Sequence, residues 1–242
     1  MAGKKKASKT TASKPSPKKA APQKSQKRRM GYKPVIADSV AVTELKKFKN
    51  KNARELEQTA EKVRVCDKCE LCESRTQTVF GIGNPRSPLM IIGEAPGGDE
   101  DAKGLPFVGR SGKLLTDIIE KGMKYKREDV YIANVLKCRP PLNRNPKPEE
   151  IELCREYLEH QIEVINPKVI ITVGLFPAQW MTGKKQPIGK LRGQVHEVNG
   201  RAVIPTYHPA YLLRNYTVDA RKKVHQDVML AVEILGKGPL VK

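Results

Sequence analysis

The most constraining feature of the sequence is a short apolar run at residues 89–92, LMII, which ends abruptly in a glycine-rich turn. The run has the length and the β-branched content of a buried strand. The turn, GEAPGG at 93–98, leads into an acidic cluster at 99–101, and Glu94 is its first ionisable group. Open α/β sheets bind ligands beyond the carboxyl ends of their strands, so this stretch predicts a binding site. An ordinary strand-to-helix connection with solvated acids explains the stretch equally well.

Further apolar runs at residues 130–136, 168–174 and 201–206 predict three more strands, and segments of helical period separate them. Strands that alternate with helices form a mostly parallel sheet with both faces covered. The sequence therefore predicts an α/β protein of the three-layer α/β/α class.

The chain carries a net charge of +20, and its first 34 residues contain twelve Lys or Arg and no acid. A segment so poor in large apolar side chains does not bury enough surface to fold, so we expect residues 1–37 to form a disordered, Lys/Ala/Ser/Pro-rich basic arm. Such an arm binds nucleic-acid phosphates through counterion release, although a merely solubilising tail fits the same composition. We expect a helical lead-in at 38–64, a folded domain at 65–236 and a short tail at 237–242.

No apolar run has the roughly 18–20 residues needed to cross a bilayer, and the first residues lack the apolar core of a signal peptide. We therefore expect a cytoplasmic protein without a secretion signal. Cysteines in that compartment stay reduced, which favours metal or cluster ligation over disulfides.

Five cysteines fall between residues 66 and 154. Cys66 and Cys69 form a C-x2-C pair, a spacing that recurs in zinc and iron–sulfur sites because two thiolates on one turn grip one metal. Cys138, at the end of a predicted strand, and Cys154, on a predicted helix, complete a four-ligand set. Cys72 is then the spare residue, a small apolar filler. Four thiolates do not select zinc or iron by themselves, and scattered buried cysteines are the alternative.

Polar and aromatic groups follow the strands at the predicted mouth of the sheet. Asn134 ends one strand, and its amide matches the edge of a nucleobase, although it fits equally well as a partner for loop backbone. His208 ends another strand, where a capping or core histidine is the usual interpretation. Phe107 lies on the loop after Glu94. Together these groups are typical of a pocket for a base flipped out of a nucleic acid. The base would stack on the Phe107 ring, and polar groups would bind its Watson–Crick edge.

Six short motifs follow one another along residues 65–235. They are C-x2-C-x-L-C-x2-R-T (66–76), V-F-G-x-G-N-P (79–85), G-E-A-P-G (93–97), G-x-P-F-V-G (104–109), N-V-x-K-C-R-P-P (134–141) and H-P-A-Y-L-L-R-N (208–215). Each motif is weak alone, but six in this order are specific. The chain resembles the family 4 uracil-DNA glycosylases, the iron–sulfur branch of the uracil-DNA glycosylase superfamily.

The resemblance implies a uracil-DNA glycosylase-like domain at 65–236 with a central four-stranded, mostly parallel sheet. The implied activity belongs to DNA repair: uracil is flipped out of DNA and its N-glycosidic bond is hydrolysed, which leaves an abasic site for base excision repair. The alternatives are a non-catalytic iron–sulfur DNA-binding or adaptor protein on the same fold, and an iron–sulfur redox protein. The implied cofactor is a structural 4Fe–4S cluster, with Cys66, Cys69, Cys138 and Cys154 as its ligands.

The motifs also assign the pocket. By resemblance, Phe107 stacks on uracil, Asn134 bonds its polar edge, and His208 bonds O2 as negative charge develops there. The residues implied to bind uracil are Glu94, Ala95, Pro96, Phe107, Asn134 and His208.

The group that positions the attacking water is less clear from the motifs. The best-known branch of the superfamily has an Asp where this chain has Ala95. We favour Glu94 for this role, with Glu100 as its competitor. Residues 135–159 contain no histidine, so the covalent capture of uracil DNA by a related branch is not expected here.

The DNA surface is implied by the last motif and by a rigid basic loop, CRPPLNRNPKP at 138–148. Arg139 and Arg144 of this loop are expected to meet phosphates. The residues expected to wedge into the duplex are Tyr211, Leu212, Leu213 and Arg214, with Leu212 or Leu213 filling the vacated stack. Uracil-containing DNA is the implied partner of a monomer with no membrane association, located at the nucleoid. A polymerase clamp is a further candidate partner.

Overall fold

The computed structural model describes residues 39–236, so the predicted basic arm and tail lie outside the described residues. Within this range, five strands form one sheet in the order β2-β1-β3-β5-β4. The strands are β1 Leu89–Gly93, β2 Tyr131–Asn134, β3 Val169–Val173, β4 His196–Val198 and β5 Arg201–Thr206. All neighbouring pairs are parallel except β4 and β5, which are antiparallel. The α/β class with a mostly parallel sheet is confirmed.

Helices connect the strands and cover both faces of the sheet. They are α1 Val40–Leu45, α2 Lys51–Arg64, α3 Leu71–Ser74, α4 Gly98–Lys103, α5 Arg110–Asp117, α6 Pro148–Ile165, α7 Leu175–Thr182, α8 Ile188–Leu191, α9 Pro209–Arg214 and α10 Val218–Leu235. A π-helical turn, Ile118–Met123, continues α5, and 3-10 turns form at Arg127–Asp129 and Pro141–Asn143. Across residues 39–236, every helix is too short or too polar to span a bilayer.

The sheet has one strand more than the sequence predicted. The additional strand, β4, has only three residues and forms a hairpin with β5. Asn199 and Gly200 connect the two strands with φ angles of 50° and 74°. An Asn-Gly pair with both φ angles positive is the preferred two-residue hairpin turn. This dipeptide was therefore the sequence signal for the missed strand.

Two apolar layers sandwich the sheet because successive strand side chains point to opposite faces. Met90 and Ile92 face one layer, in which α1, α2 and α6 pack. Leu89 and Ile91 face the other layer, formed by α5, the π-helical turn and α10. This coverage of both faces leaves the carboxyl edge of the sheet as the place where polar side chains gather.

The predicted lead-in at 38–64 forms two helices, α1 and α2, which are separated by residues 46–50. Asn50 caps α2, since its Oδ1 accepts a hydrogen bond from the backbone N–H of Ala53 at 3.0 Å. Leu45 and Leu56 are buried in the same apolar layer as the sheet. The lead-in is thus packed into the core of the domain.

Candidate active site

The carboxyl ends of β1, β2 and β5 border one cleft of about 440 Å³, a size typical of small-molecule sites. Glu94, Asn134 and His208, which the sequence assigned to one mouth, all line it. The other assigned residues that line it are Ala95, Pro96, Glu100, Phe107, Arg144 and Arg214. Lining residues that the sequence did not indicate include Ser111, Asn143, Gly174 and Leu175.

Asn134 is the last residue of β2 and lies beside Gly93 of β1 in the parallel register. Its side chain is only 2% exposed. The Oδ1 atom is buried, and no donor among the described residues is hydrogen-bonded to it. A buried acceptor without a partner costs about 1–3 kcal/mol. A ligand with an N–H group at this position would remove that cost.

Phe107 forms an aromatic wall of the cleft. Its φ angle is 54°, in the left-handed region, and its ring centroid lies 5.9 Å from that of His208. The Arg127 guanidinium donates to the Phe107 carbonyl at 3.1 Å. Gly93 makes room for the ring, because a Cβ atom there would lie 2.6 Å from Phe107 Cζ and 2.3 Å from Asn134 Oδ1.

Glu100 holds together the loop that connects β1 to α5. Its Oε2 accepts a hydrogen bond from Gly97 N at 3.1 Å, and its Oε1 accepts from Val108 N at 3.0 Å and Gly109 N at 3.2 Å. Both carboxylate oxygens are thus engaged by backbone. This arrangement gives Glu100 a structural task that the sequence interpretation had not considered.

Glu94, by contrast, lines the cleft with a half-buried carboxyl group that no donor within residues 39–236 engages. Burial raises the pKa of Glu94 above its ordinary value. A carboxylate in this condition is available to bind a water molecule and to accept a proton.

His208 precedes α9 and caps it, since its Nδ1 accepts a hydrogen bond from Ala210 N at 3.1 Å. Burial, helped by the nearby charge of Arg214 and opposed by that of Glu100, lowers the pKa of His208 to about 4. The ring is therefore neutral near pH 7. Because Nδ1 acts as the acceptor, the proton lies on Nε2, which is the donor left for a ligand.

The residues assigned to DNA differ in their exposure. Leu212 is only 2% exposed and packs in the core, whereas Leu213 is 42% exposed. The Arg144 guanidinium forms an ion pair with Glu150, with an Nη1–Oε2 distance of 2.9 Å. Leu142, which the sequence analysis did not single out, is 96% exposed in the turn beside Arg144 and has a φ angle of 55°.

All five cysteines are within the described range, and none forms a disulfide. Together they line a second cavity, which lies between α3, the end of β2 and α6. Arg75 Nη1 donates to Cys138 Sγ at 3.1 Å, and the backbone of Lys137 lies close to the Cys154 sulfur. Without a metal, burial raises the pKa of Cys138 to about 12 and that of Cys154 to about 11. In residues 39–236 no three side chains converge closely enough to hold a single metal ion.

Comparison with known proteins identifies the family. The family model described as the uracil DNA glycosylase superfamily matches residues 80–229. A type-4 uracil-DNA glycosylase of Thermotoga maritima is 45% identical over 185 residues, which cover 75% of this chain and 95% of the relative. Another from Archaeoglobus fulgidus is 43% identical, with 75% and 94% covered, and one from Saccharolobus solfataricus is 44% identical, with 76% and 88% covered. The chain therefore belongs to the uracil DNA glycosylase superfamily and, within it, to the type-4 family.

Substitution of Gly93 tests the close packing of the cleft. We expect Gly93→Ala to lower the free energy of unfolding by about 1–3 kcal/mol, because the new Cβ would overlap the buried Phe107 ring and the Asn134 amide. Gly122→Ala is the matched control, since a Cβ at Gly122 meets nothing within 4 Å. Denaturant unfolding measures both. A Gly93→Ala protein as stable as wild type would contradict this geometry.

Proposed function

We propose that the chain is a DNA repair glycosylase that flips uracil out of DNA and hydrolyses its N-glycosidic bond, leaving an abasic site. The observation that carries this proposal is the buried Oδ1 of Asn134, to which no donor in residues 39–236 is hydrogen-bonded, in a cleft walled by Phe107 and His208. Membership of the type-4 family supports the same conclusion. A non-catalytic DNA-binding or adaptor protein finds no support in either.

Uracil fits the cleft through its hydrogen-bonding edge. Its N3–H donates to Asn134 Oδ1, and the Asn134 amide donates to O4. Cytosine has an acceptor at N3 and an amino group at position 4. It would therefore place an acceptor against Asn134 Oδ1 and a donor against the Asn134 NH2 group, which leaves these buried groups unpaired. Phe107 stacks on the base, and the pocket wall formed with Ala95 and Pro96 excludes the 5-methyl group of thymine by contact.

His208 stabilises the leaving group. The bond between N1 of uracil and C1′ of deoxyribose breaks, its electron pair stays on the base, and the sugar becomes an oxocarbenium-like cation. Negative charge develops on uracil O2, to which the neutral His208 ring donates its Nε2–H. A donor held in place before the reaction, here by the Nδ1 bond to Ala210, stabilises such charge without reorganising.

Glu94 binds the attacking water. Its carboxylate orients the oxygen of the water towards C1′ and accepts a proton as the new C–O bond forms. Glu100 is the weaker candidate, because its two oxygens are already engaged by three backbone N–H groups. We assign Glu94 to the water and Glu100 to holding the loop.

Cys66, Cys69, Cys138 and Cys154 would hold a 4Fe–4S cluster with a structural role. Two observations support it: the thiols share one cavity, and the Arg75 guanidinium donates to one of the sulfurs. Iron–sulfur clusters are bound by four cysteines and tuned by such donors. When bound, the cluster supplies a four-fold cross-link between the loop before α3, the end of β2 and α6.

The remaining expectations stay predictions. They are the monomeric state, a polymerase clamp as a further partner, a cytoplasmic location at the nucleoid, and the phosphate contacts of Arg139 and Arg144. Arg144 would have to share its guanidinium between Glu70, Glu150 and a phosphate.

Substitution of Asn134 tests how the base is recognised. We expect Asn134→Ala to slow uracil excision in a single turnover by about 10²–10³-fold, because a base-reading amide is lost. Asn134→Asp, which replaces the NH2 donor with an acceptor, is expected to slow uracil excision and to raise the ratio of cytosine to uracil excision. Gln58→Ala, which removes an exposed amide on α2 outside the cleft, is the control. Uracil excision by Asn134→Ala at the wild-type rate would contradict the assignment.

The pH dependence tests the role of Glu94. A water-activating carboxylate must be ionised, so the rate should fall as the pH drops through the raised pKa of Glu94. His208 protonates only near pH 4 and should not limit the rate above that pH. We expect the Glu94→Gln protein to excise uracil about 10²–10⁴-fold more slowly. Its rate should also lose this fall at low pH, the acid limb of the profile.

Glu100→Gln gives the comparison for this experiment. The Glu100→Gln substitution should lower the unfolding temperature, because it weakens the loop between β1 and α5. The rate of excision should still fall at low pH as in the wild-type protein. An acid limb that persists in Glu94→Gln and disappears in Glu100→Gln would reverse the two assignments.

The cysteine assignment predicts different outcomes for two kinds of variant. Cys138→Ser should lose bound iron and the visible absorbance of the protein, because a cluster ligand is removed. Cys72→Ala should keep both, since Cys72 is assigned as filler. Iron analysis and absorbance spectra measure the effect. Loss of the absorbance in Cys72→Ala with its retention in Cys138→Ser would overturn the ligand set, and zinc in the wild-type protein would overturn the cluster.

The exposed leucine on α9 is the proposed wedge into the base stack. Since Leu213 is exposed and Leu212 is packed in the core, we expect Leu213→Ala to slow excision from duplex DNA more than from single strands. Val218→Ala, an exposed apolar residue at the start of α10, is the control. Equal slowing on both substrates would contradict a role in the duplex stack.

A further inference from the structure

Leu142 is the most exposed large apolar side chain in residues 39–236, with 96% of its surface open to solvent. It lies in the 3-10 turn Pro141–Asn143, which belongs to the loop after β2. Hydrophobic stabilisation follows the apolar area removed from water, so this side chain contributes almost nothing to folding. A single exposed leucine is ordinary on a protein surface. Its backbone and its place in the fold therefore decide whether it has a task.

The backbone holds Leu142 in a conformation that leucine rarely adopts. Its φ and ψ angles are 55° and 21°, in the left-handed region, and Asn143 follows with a φ angle of 54°. Asparagine tolerates this region, whereas a bulky side chain is strained there. Such strain persists only where the surroundings impose it, and it is found at functional sites.

The turn has a firm base. Pro140 and Pro146 are buried on its two sides. The backbone N–H of Asn143 donates to the Pro140 carbonyl at 3.0 Å, and Asn143 Oδ1 accepts a hydrogen bond from Arg139 Nε at 2.8 Å. The leucine is thus presented to solvent from a constrained loop.

This loop borders the cleft on the side of β2. The residues around Leu142 that line the cleft are Pro140, Asn143 and Arg144. Leu213, the proposed wedge, lies on α9 after β5. Two strands, β1 and β3, separate β2 from β5, so the ends of β2 and β5 lie roughly 14 Å apart. The cleft therefore has one exposed leucine on the loop of each of two separated strands.

The charge beside Leu142 favours DNA as the occupant of this rim. Within residues 39–236 the Arg139 guanidinium forms no ion pair with a carboxylate. It lies beside the start of α4, where a Cβ on Gly98 would be 3.4 Å from Arg139 Cζ. Proteins that bend DNA combine cations on the phosphates with an apolar side chain between two bases. A protein partner would need a wider apolar patch than one leucine.

We infer that Leu142 is a second wedge, which enters the base stack of duplex DNA from the β2 side of the cleft while Leu213 enters from the β5 side. The inference rests on the proposed function, because it requires DNA to lie across the cleft. It gives a task to an apolar side chain that the fold leaves in water. The two leucines together offset the cost of unstacking the uracil.

Excision from three substrates tests the second wedge. We expect Leu142→Ala to slow single-turnover excision about 10-fold when uracil is paired with adenine in a duplex. The loss should be smaller for uracil opposite guanine and absent for a single strand, because the cost of flipping falls in that order. Val195→Ala, an exposed valine outside the cleft, is the control. No loss on any substrate, or an equal loss on all three, would overturn the inference.

Leu142→Asn separates insertion from folding and from charge. Asparagine accepts the left-handed backbone, so the unfolding temperature should equal or exceed that of the wild-type protein, while excision from the duplex slows as in Leu142→Ala. The salt dependence of duplex binding should stay at the wild-type slope, since no phosphate contact is removed. A lower unfolding temperature or a shallower salt slope would contradict an apolar wedge.

Failure of this inference differs from failure of the proposed function. A wild-type protein that excises uracil, with a Leu142→Ala variant equally fast on the duplex, would refute the wedge alone. A wild-type protein that excises no uracil from any of the three substrates would refute the proposed function.

Discussion

The cleft depends on one carboxylate, that of Glu100. It accepts backbone N–H groups from Gly97, just before α4, and from Val108 and Gly109, just after the aromatic wall. Both ends of the loop after β1 are therefore tied to a single side chain. Phe107 can then keep its left-handed φ angle, a conformation that costs of order 1 kcal/mol or more and persists only where the surroundings impose it. A loose loop would let the ring leave the cleft.

The loop closes around a site that is incomplete without a ligand. Asn134 presents a buried acceptor that no donor in the described part of the chain engages, and His208 presents a single ring N–H because Ala210 occupies its other nitrogen. Both groups are fixed by the backbone at the ends of parallel strands, so they need little rearrangement when a base arrives. A base with the matching edge would satisfy this acceptor. Under the proposed assignment, recognition and catalysis share one preorganised geometry.

Much of this arrangement could be predicted from the sequence. The four long strands, the helix that carries Cys154 and the convergence of Glu94, Asn134 and His208 follow from periodicity and from the rule that parallel strands share their carboxyl edge. The acidic cluster gave no sign that Glu100 would turn inward to bind backbone, because that choice depends on a loop closed in three dimensions. The helix α9 has only six residues, so its periodicity could not show which of Leu212 and Leu213 is buried. Lys137, just after β2, is only 1% exposed and donates to Gln161 on α6, a burial that the usual exposure of lysine would not predict.

The most direct test of the central claim is release of the free base from three matched oligonucleotides that carry one uracil, thymine or cytosine. The wild-type protein with its cluster bound should release uracil and leave an alkali-labile abasic site, and it should leave the other two oligonucleotides intact. Release of cytosine at a similar rate would contradict base reading by Asn134, and release of thymine at a similar rate would contradict exclusion of the 5-methyl group by the pocket wall. If the folded, cluster-loaded protein binds uracil DNA but releases no base, the chain is not a glycosylase.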